Sequence, residues 1–208
     1  MRRRLLKRAF DLLVAVPLLV LSLPVQAVVA LVVRRRLGTP VLFRQERPGR
    51  DGRPFTLVKF RTMLDVNPEL GLVDDANRMT DLGRFLRATS LDELPTLWNV
   101  VRGDMSLVGP RPLLMQYLPL YTSEQARRHE VRPGLTGLAQ VSGRNALSWE
   151  DKFRLDVEYV DRTSTWLDLQ ILFGTVAAVV RRDGITAEGS VSMPEFRGSL
   201  SAGKEARP

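Results

Sequence analysis

The feature that most constrains the fold is an apolar stretch near the N-terminus. Residues 9–33 form a run of 25 residues in which Asp11 is the only charged side chain. About 20 apolar residues are enough for a helix to cross the hydrocarbon core of a bilayer. The run is also too long for the apolar region of a signal peptide. We therefore predict a membrane anchor with basic flanks at residues 1–36.

Two properties favour a re-entrant hairpin over a helix that crosses the bilayer. Basic residues flank both ends of the run, and the positive-inside rule places such flanks in the cytoplasm. Pro24 lies near the middle, where a proline removes a helical hydrogen bond and kinks the axis. We predict that the helix enters, breaks at Ser22 and Pro24, and returns to the same face, with a spanning helix as the alternative. Ser22 is the expected partner for backbone groups freed at the break.

The positive charge of the chain is concentrated in this anchor. The formal net charge is +8, and residues 1–36 contribute +7 of it, so the remaining residues carry a net charge of only +1. This distribution favours contact with anionic lipid head groups and argues against a nucleic-acid partner. The chain contains no cysteine and one histidine. A bound metal ion would therefore be held mainly by oxygen, which favours magnesium, manganese or calcium.

Beyond the anchor, we predict an α+β domain, mainly helical, at residues 37–189. Residues 40–46 and 54–60 have the pattern of two short strands, and Asp51-Gly52 between them is a hairpin-turn signal. Helical patterns occupy residues 81–87 and 123–130, and the basic face of the second is expected to be solvated. A further helix begins at Ser148 with a capping-box pattern.

The last predicted helix begins at Thr165 and is followed by an apolar run that is too short to span a bilayer. Trp166 near one end and Arg181-Arg182 at the other are typical of an amphipathic helix in the membrane interface, with a buried helix as the alternative. Beyond Gly189 the composition of serine, glycine, proline and charged residues predicts a disordered tail at 190–208.

The centre of the predicted domain is an acidic pair, Asp92 and Glu93, directly before an apolar run. Pro95 could occupy the first helical position, which would place both carboxylates at the positive end of a helix. Alternatively, Ser90 could cap the helix and Glu93 could complete a capping box. Acidic pairs often only cap helices. Here, however, Arg87 precedes the pair, and Arg111 follows it between two prolines.

Six stretches, in this order, resemble one family, the small monotopic phosphoglycosyl transferases, also called bacterial sugar transferases. They are Lys7-Arg-Ala-Phe-Asp11, Pro40-Val-Leu-Phe-Arg-Gln-Glu-Arg-Pro-Gly49, Lys59-Phe-Arg-Thr-Met63, Ser90-Leu-Asp-Glu-Leu-Pro95, Gly103-Asp-Met-Ser-Leu-Val-Gly-Pro-Arg-Pro112 and Arg132-Pro-Gly-Leu-Thr-Gly137. The resemblance covers about residues 7–188 and indicates the minimal catalytic form, without the extra N-terminal helices of large members. One departure is that Leu23 precedes Pro24 where the family pattern has serine.

The resemblance implies transfer of a sugar 1-phosphate from a UDP-sugar to polyprenyl (undecaprenyl) phosphate, giving polyprenyl-diphosphate-sugar and UMP. This would be the first membrane step of bacterial glycoconjugate assembly, on the cytoplasmic face of the inner membrane. It further implies that Asp92 is the nucleophile of a covalent aspartyl-phosphosugar intermediate and contacts Mg²⁺. Glu93 would be a second carboxylate that positions the acceptor or takes its proton.

Several basic and acidic residues are candidates for binding the substrates. Guanidinium groups bind phosphate through two hydrogen bonds, which makes Arg87, Arg111 and Arg144 the phosphate-binding candidates. Lys59 and Arg61 are expected on opposite faces of a strand, so at most one should face the site. Asp156 and Asp168 either help to recognise the nucleotide or only cap and pair.

Three alternatives to this transferase stay open from the sequence. One is a non-catalytic scaffold that docks on the membrane, and another is a membrane-tethered nucleic-acid binder, which the charge distribution disfavours. Within the enzyme class, the donor could carry a hexose rather than an N-acetylated amino sugar. A homodimer is also compatible with the sequence.

Overall fold

The computed structural model describes residues 2–143, 147–181 and 195–199, and it confirms the predicted fold class of helices with a small sheet. The helices are α1 (Arg2–Leu37), α2 (Asp75–Arg78), α3 (Asp81–Ala88), α4 (Leu97–Arg102), α5 (Ser123–Ala126), α6 (Leu138–Ser142), α7 (Trp149–Arg162) and α8 (Thr165–Arg181). The strands are β1 (Leu42–Pro48), β2 (Pro54–Phe60), β3 (Ser106–Val108) and β4 (Gly134–Thr136).

The predicted β-hairpin is present. Strands β1 and β2 pair antiparallel, with Leu42 opposite Phe60 and Pro48 opposite Pro54. The turn between them contains Asp51 and Gly52, whose φ angles are 57° and 71°. Glycine adopts a positive φ at no steric cost, and aspartate tolerates it better than most residues. A second pair, the parallel strands β3 and β4, was not predicted because three-residue strands leave too short a pattern in the sequence.

Helix α1 is one unbroken helix of 36 residues that continues through Pro17 and Pro24. The predicted break at Ser22 and Pro24 is therefore not an interruption of the helix. The Ser22 hydroxyl donates to the Leu19 carbonyl at 2.9 Å and accepts from the Gln26 amide at 2.9 Å. Pro24 leaves the carbonyl of Val20 without its helical donor, so the Ser22 contact with Leu19 does not replace the missing hydrogen bond. By length and composition alone, α1 is able to cross a membrane.

Both ends of α1 pack against the same domain. Near the N-terminus, Arg8 donates hydrogen bonds to two carbonyls at the end of α4, and Ala15 is part of the main core. Near the C-terminus, Val29 and Val33 pack against Phe60 and Leu86. No residue between 16 and 28 is buried, and apolar side chains are exposed over most of the helix circumference there. Helix α1 is thus attached at both ends and uncovered in the middle.

A buried polar cluster fixes the first end of α1, and we call it the anchor network. It consists of Lys7, Asp11, Ser106, Tyr159 and Asp168. Ser106 donates its hydroxyl proton to the Asp11 carboxylate at 2.9 Å, and Lys7 pairs with Asp168 at 2.9 Å. Tyr159 donates to Asp168 at 2.7 Å. The network therefore joins α1 to β3, α7 and α8.

The two remaining core regions are the main core and an aromatic cluster. The main core is built from α4, β2, β3, α7 and α8, around Val100, Met105 and Tyr159. A second, aromatic cluster contains Phe153 of α7 and Phe196, which is 4% exposed. Apart from residues 195–199, the predicted disordered tail lies outside the described residues. Helix α8 buries Ile171 but exposes Trp166, Phe173 and Val176, so one apolar face of this helix is uncovered.

We predict that Asp11→Ala destabilises the protein by about 3–5 kcal/mol, because it removes the acceptor of Ser106 and one of the two carboxylates that pair with Lys7. The measurement is thermal unfolding of the full chain in lipid nanodiscs. The matched control is Asp81→Ala, whose side chain is 96% exposed and pairs only with Arg84. A loss for Asp11→Ala no larger than that of the control would show that the network does not hold α1.

Candidate active site

The acidic pair lies on a turn of 3-10 helix, Leu91–Thr96, which leads directly into α4. Neither predicted helix start is right. Ser90 has a left-handed conformation with φ of 56° and makes no capping hydrogen bond, so the capping box is absent. The α-helix begins at Leu97, two residues after Pro95. The carboxylates thus precede the helix by one 3-10 turn.

Two buried polar side chains tie this turn to strand β2. The Thr96 hydroxyl donates to the Val58 carbonyl at 2.8 Å. The Asn99 side chain accepts from the Val58 N–H at 3.1 Å and donates to the Thr56 carbonyl at 2.7 Å. Both side chains are 1% exposed. Because buried hydrogen bonds of this kind are costly to break, the position of the acidic pair over β2 is rigidly defined.

Glu93 is held by two cations. Its carboxylate pairs with Lys59 at 2.6 Å and with Arg111 at 3.1 Å. Burial alone would raise the pKa of Glu93, but the charges and hydrogen bonds of Lys59 and Arg111 outweigh it and lower the pKa to about 2. Glu93 is therefore an ionised, ion-paired group throughout the neutral range.

Asp92 is in the opposite situation. It is 7% exposed, and no group in the described part of the chain donates a hydrogen bond to its carboxylate. Burial raises the pKa of Asp92 to about 6 and the charge of Glu93 adds to the rise, against the attraction of Lys59, Arg87 and Arg111. At neutral pH most molecules hold an ionised Asp92 that has no protein partner. Such a carboxylate is free to bind a metal ion or attack an electrophile.

The structure brings Arg87, Arg111 and Lys59 to the acidic pair. Arg87 lies close enough to Asp92 for their charges to interact and donates to the Thr62 hydroxyl at 3.2 Å. Arg61 does not face the site, because it donates to the Leu37 carbonyl and pairs with Asp65. Lys59 and Arg61 are two residues apart, so strand alternation would leave them on the same face, contrary to the prediction. They diverge because β2 ends at Phe60.

Asp156 and Asp168 lie away from the acidic pair and take part in ion pairs. Asp168 belongs to the anchor network, where Lys7 and Tyr159 are its partners. Asp156 pairs with Arg128 at 2.7 Å, and Arg128 also donates to the Arg111 carbonyl at 2.7 Å. Arg128 is 2% exposed, so the prediction of a solvated basic face at 123–130 is wrong for this residue. Arg144 lies outside the described residues.

Sequence reasoning missed one cation at the site, Arg47. It lines a cleft of about 50 Å³ together with Lys59, Glu93 and Arg111. In the sequence, Arg47 begins a segment rich in glycine and charge that indicates a turn. The sequence could have indicated Arg47 through its position in the hairpin, because the register of β1 and β2 places it on the same face as Lys59.

The acidic pair is also the candidate position for a bound metal ion. In the described ranges, no three histidine, aspartate or glutamate side chains converge in a way that could hold an ion. Glu93 is committed to Lys59 and Arg111, whereas Asp92 is not. Magnesium is commonly held by one or two carboxylates, substrate phosphates and water. A site built from Asp92 and a bound phosphate fits that chemistry.

Comparison with known proteins gives the family of this chain. The family model described as bacterial sugar transferase matches residues 2–182, so the chain belongs to the bacterial sugar transferase family. It is 55% identical to EpsL, an uncharacterized sugar transferase of Bacillus subtilis, over 94% of the chain and 97% of that protein.

Two further relatives have names that state a reaction. A UDP-glucose:undecaprenyl-phosphate glucose-1-phosphate transferase of Caulobacter vibrioides is 40% identical over 85% of the chain and 70% of that protein. An undecaprenyl-phosphate galactose phosphotransferase of Salmonella typhimurium is 40% identical over 87% of the chain. The chain spans only 42% of the length of this second protein.

We predict that Asp92→Asn stabilises the folded protein at neutral pH. A carboxyl group whose pKa is raised on folding destabilises the folded state as the pH rises from the unfolded pKa to the folded pKa, here from 3.8 to about 6, and the whole penalty is present above that range. The rise from 3.8 to about 6 corresponds to about 3 kcal/mol. Thermal unfolding should show this gain at pH 8, about half of it at pH 5, and about a fifth of it at pH 4.

The matched variant Glu93→Gln should behave in the opposite way. The pKa of Glu93 is lowered on folding, so its charge stabilises the protein above pH 4.5 and this contribution is lost as the pH falls towards 2. We expect Glu93→Gln to cost about 3 kcal/mol at pH 7, because Lys59 and Arg111 lose their shared partner. Equal effects of the two variants at pH 8 would contradict the different roles of the two carboxylates.

Proposed function

We propose that this protein transfers a sugar 1-phosphate from a UDP-sugar to undecaprenyl phosphate and releases UMP. The observation that carries the proposal is the pair of adjacent carboxylates, of which Glu93 is ion-paired and Asp92 is buried with no hydrogen-bond donor among the described residues. The named reactions of the relatives from Caulobacter vibrioides and Salmonella typhimurium support the same substrates.

In the first step, a carboxylate oxygen of Asp92 attacks the phosphorus that carries the sugar. A bond forms between this oxygen and phosphorus, and the bond to the bridging oxygen breaks, so that UMP leaves with that oxygen. In the second step, an oxygen of the acceptor phosphate attacks the same phosphorus. The bond to Asp92 then breaks, which restores the carboxylate and gives the diphosphate-linked sugar.

Glu93 acts by holding cations rather than by taking a proton. A carboxylate with a pKa of about 2 is a very weak base at neutral pH. The acceptor needs no base, because a phosphate monoester is already largely ionised at pH 7. Glu93 instead fixes Lys59 and Arg111 beside Asp92, where both cations can offset the charge of the bound diphosphate.

Magnesium fits this arrangement, with Asp92 as its protein ligand together with substrate phosphate. When bound, the ion would offset phosphate charge during transfer. Arg87 interacts with the same carboxylate and is available for a phosphate oxygen.

We further propose that the protein is monotopic, with its active site at the cytoplasmic face of the inner membrane. Both ends of α1 are basic and both pack on the same domain, while its apolar middle is uncovered. A helix held in this way has its two ends on one side of the bilayer and its middle in lipid. The exposed face of α8, with Trp166, Phe173 and Val176, would lie in the interface.

The proposed reaction is tested by UMP release from a panel of UDP-sugars with undecaprenyl phosphate and Mg²⁺. The panel begins with UDP-glucose and UDP-galactose, because relatives are named for these sugars. We expect one or a few donors to release UMP, and Asp92→Asn to reduce the rate at least 10³-fold, since removal of a nucleophile has effects of this order. Radiolabelled phosphosugar should remain on the wild-type protein when acceptor is omitted.

The control is Asp81→Asn, which replaces an exposed carboxylate of α3 outside the acidic pair. It should keep at least half of the wild-type rate. If folded wild-type protein in lipid releases UMP from no donor, the transferase proposal is wrong. If Asp92→Asn keeps its rate, another residue is the nucleophile.

The membrane topology is tested by cysteine labelling, since the natural sequence contains no cysteine. Leu5→Cys and Arg35→Cys mark exposed positions at the two ends of α1, and Leu21→Cys marks its middle. An impermeant maleimide should label both ends in inverted membrane vesicles and neither end in intact spheroplasts. Leu21→Cys should stay unlabelled in both. Labelling of one end in spheroplasts would show that α1 spans the membrane.

A further inference from the structure

Arg47 is a cation beside the active site whose guanidinium is held by neutral groups. One guanidinium nitrogen donates to the Pro112 carbonyl at 3.2 Å and another donates to the Gln45 side chain at 2.6 Å. Its Nε is buried and has no hydrogen-bond partner. Within the described ranges, no carboxylate lies within ion-pair distance of Arg47. Its two partners are neutral, so its charge is not balanced by the protein.

This arrangement is costly for a residue with only a structural role. Burial and the neighbouring charge of Arg111 lower the pKa of Arg47 to about 10. Burying a charge without an opposite charge destabilises the folded state, and placing it near a second guanidinium adds repulsion. An anion that enters beside Arg47 would remove both penalties.

The cleft next to Arg47 is shaped to receive such an anion. The register of β1 and β2 places Arg47, Leu57 and Lys59 on one face of the hairpin. The cleft is lined by these three residues, by Glu93 and Arg111 of the acidic site, and by apolar side chains that include Met105. Glu93 balances one of the three cations, so the lining has a net charge of +2. Two negative charges, as in a diphosphate or an ionised phosphate monoester, would balance it.

We propose that Arg47 and this cleft form a phosphate subsite, in which Arg47 contacts a phosphate group of one of the two substrates. The cleft is lined by Glu93 but by neither Asp92 nor Arg87, so the subsite is distinct from the contact offered by Arg87. The inference rests on the proposed function for the identity of the phosphate, which belongs to the UDP-sugar or to the polyprenyl phosphate. Guanidinium nitrogens that keep free hydrogens after binding Pro112 and Gln45 supply the hydrogen bonds.

The test compares Arg47→Met, which keeps much of the side-chain volume but removes the charge, with Arg44→Met. Arg44 is exposed on the opposite face of the same strand, so it is the matched control. Binding of UDP to the full chain in nanodiscs is measured by calorimetry, and the KM of donor and acceptor are measured separately. Arg47→Met should weaken UDP binding at least tenfold if the phosphate is that of the donor. It should instead raise the acceptor KM at least tenfold if the phosphate is that of the lipid.

The stability of the ligand-free protein distinguishes a binding role of Arg47 from a purely structural one. A binding residue without a counter-ion should leave the Tm of ligand-free Arg47→Met unchanged or higher, and should abolish the rise in Tm that the relevant substrate gives the wild type. Arg47→Lys, which keeps the charge, should recover part of the lost affinity. If Arg47→Met fails to fold, Arg47→Gln, which also removes the charge, takes its place.

The subsite inference is overturned if UDP affinity and both KM values of Arg47→Met stay within twofold of wild type. In that case, UMP release by the wild type would leave the proposed function intact. If the wild type releases no UMP, the proposed function is wrong, whatever the result for the subsite. UDP binding that weakens in Arg47→Met but not in Arg44→Met would then still support a phosphate site in the cleft.

Discussion

The contact between Asp11 and strand β3 is the interaction on which the rest of the arrangement depends. Asp11 lies in the membrane helix, and it accepts hydrogen bonds from the Ser106 hydroxyl and from the Leu107 N–H. Strand β3 leads within three residues to Arg111, whose guanidinium holds Glu93. A charge at the membrane boundary is thus linked through one short strand to the acidic pair. This link explains why a buried aspartate is present in an otherwise apolar helix, where an unpaired charge would be costly.

The two adjacent carboxylates show how environment separates the roles of similar groups. Lys59 and Arg111 lower the pKa of Glu93 to about 2, while burial without a hydrogen-bond donor raises the pKa of Asp92 to about 6. Titratable neighbours whose pKa values are pushed apart in this way are typical of active sites. Ionised Asp92 destabilises the folded state because it is buried and no described residue donates a hydrogen bond to it. In the proposed reaction, the same carboxylate is free to attack a phosphorus centre. Stability and reactivity are opposed at this residue.

Those parts of the fold that depend on local chemistry were predictable from the sequence. The turn at Asp51-Gly52 and the cap at Ser148 were found because the residues that form them are adjacent in the chain. The start of α4 was missed, since tertiary hydrogen bonds from Thr96 and Asn99 to β2 favour a 3-10 turn over an immediate α-helix.

Residues whose partners are distant in sequence were the hardest to assign. Arg128 follows a solvent-exposed pattern, yet it pairs with Asp156, 28 residues later. Asp168 could equally have bound a nucleotide, and only its contact with Lys7, 161 residues earlier, shows its pairing. At the acidic site itself, the residue types and their order were visible in the sequence. The assignment of each cation was not, because it depends on where β2 ends and on which face of the hairpin each side chain lies.

The unbroken helix α1 changes the physical reason for the monotopic topology that we propose. A hairpin with two separate helices would need partners for the backbone groups freed at its break, whereas α1 loses the hydrogen bond that Pro24 cannot donate but stays helical on both sides of it. What holds both ends on one side is then the protein domain, through the anchor network at one end and the packing of Val33 against Phe60 at the other. Phe60 ends the strand that carries Lys59, and Asp11 binds the strand that leads to Arg111. The two attachments of α1 therefore bear on the two cations that hold Glu93, and in the proposed topology this brings the acidic pair to the membrane boundary, where a lipid phosphate and a soluble nucleotide can meet.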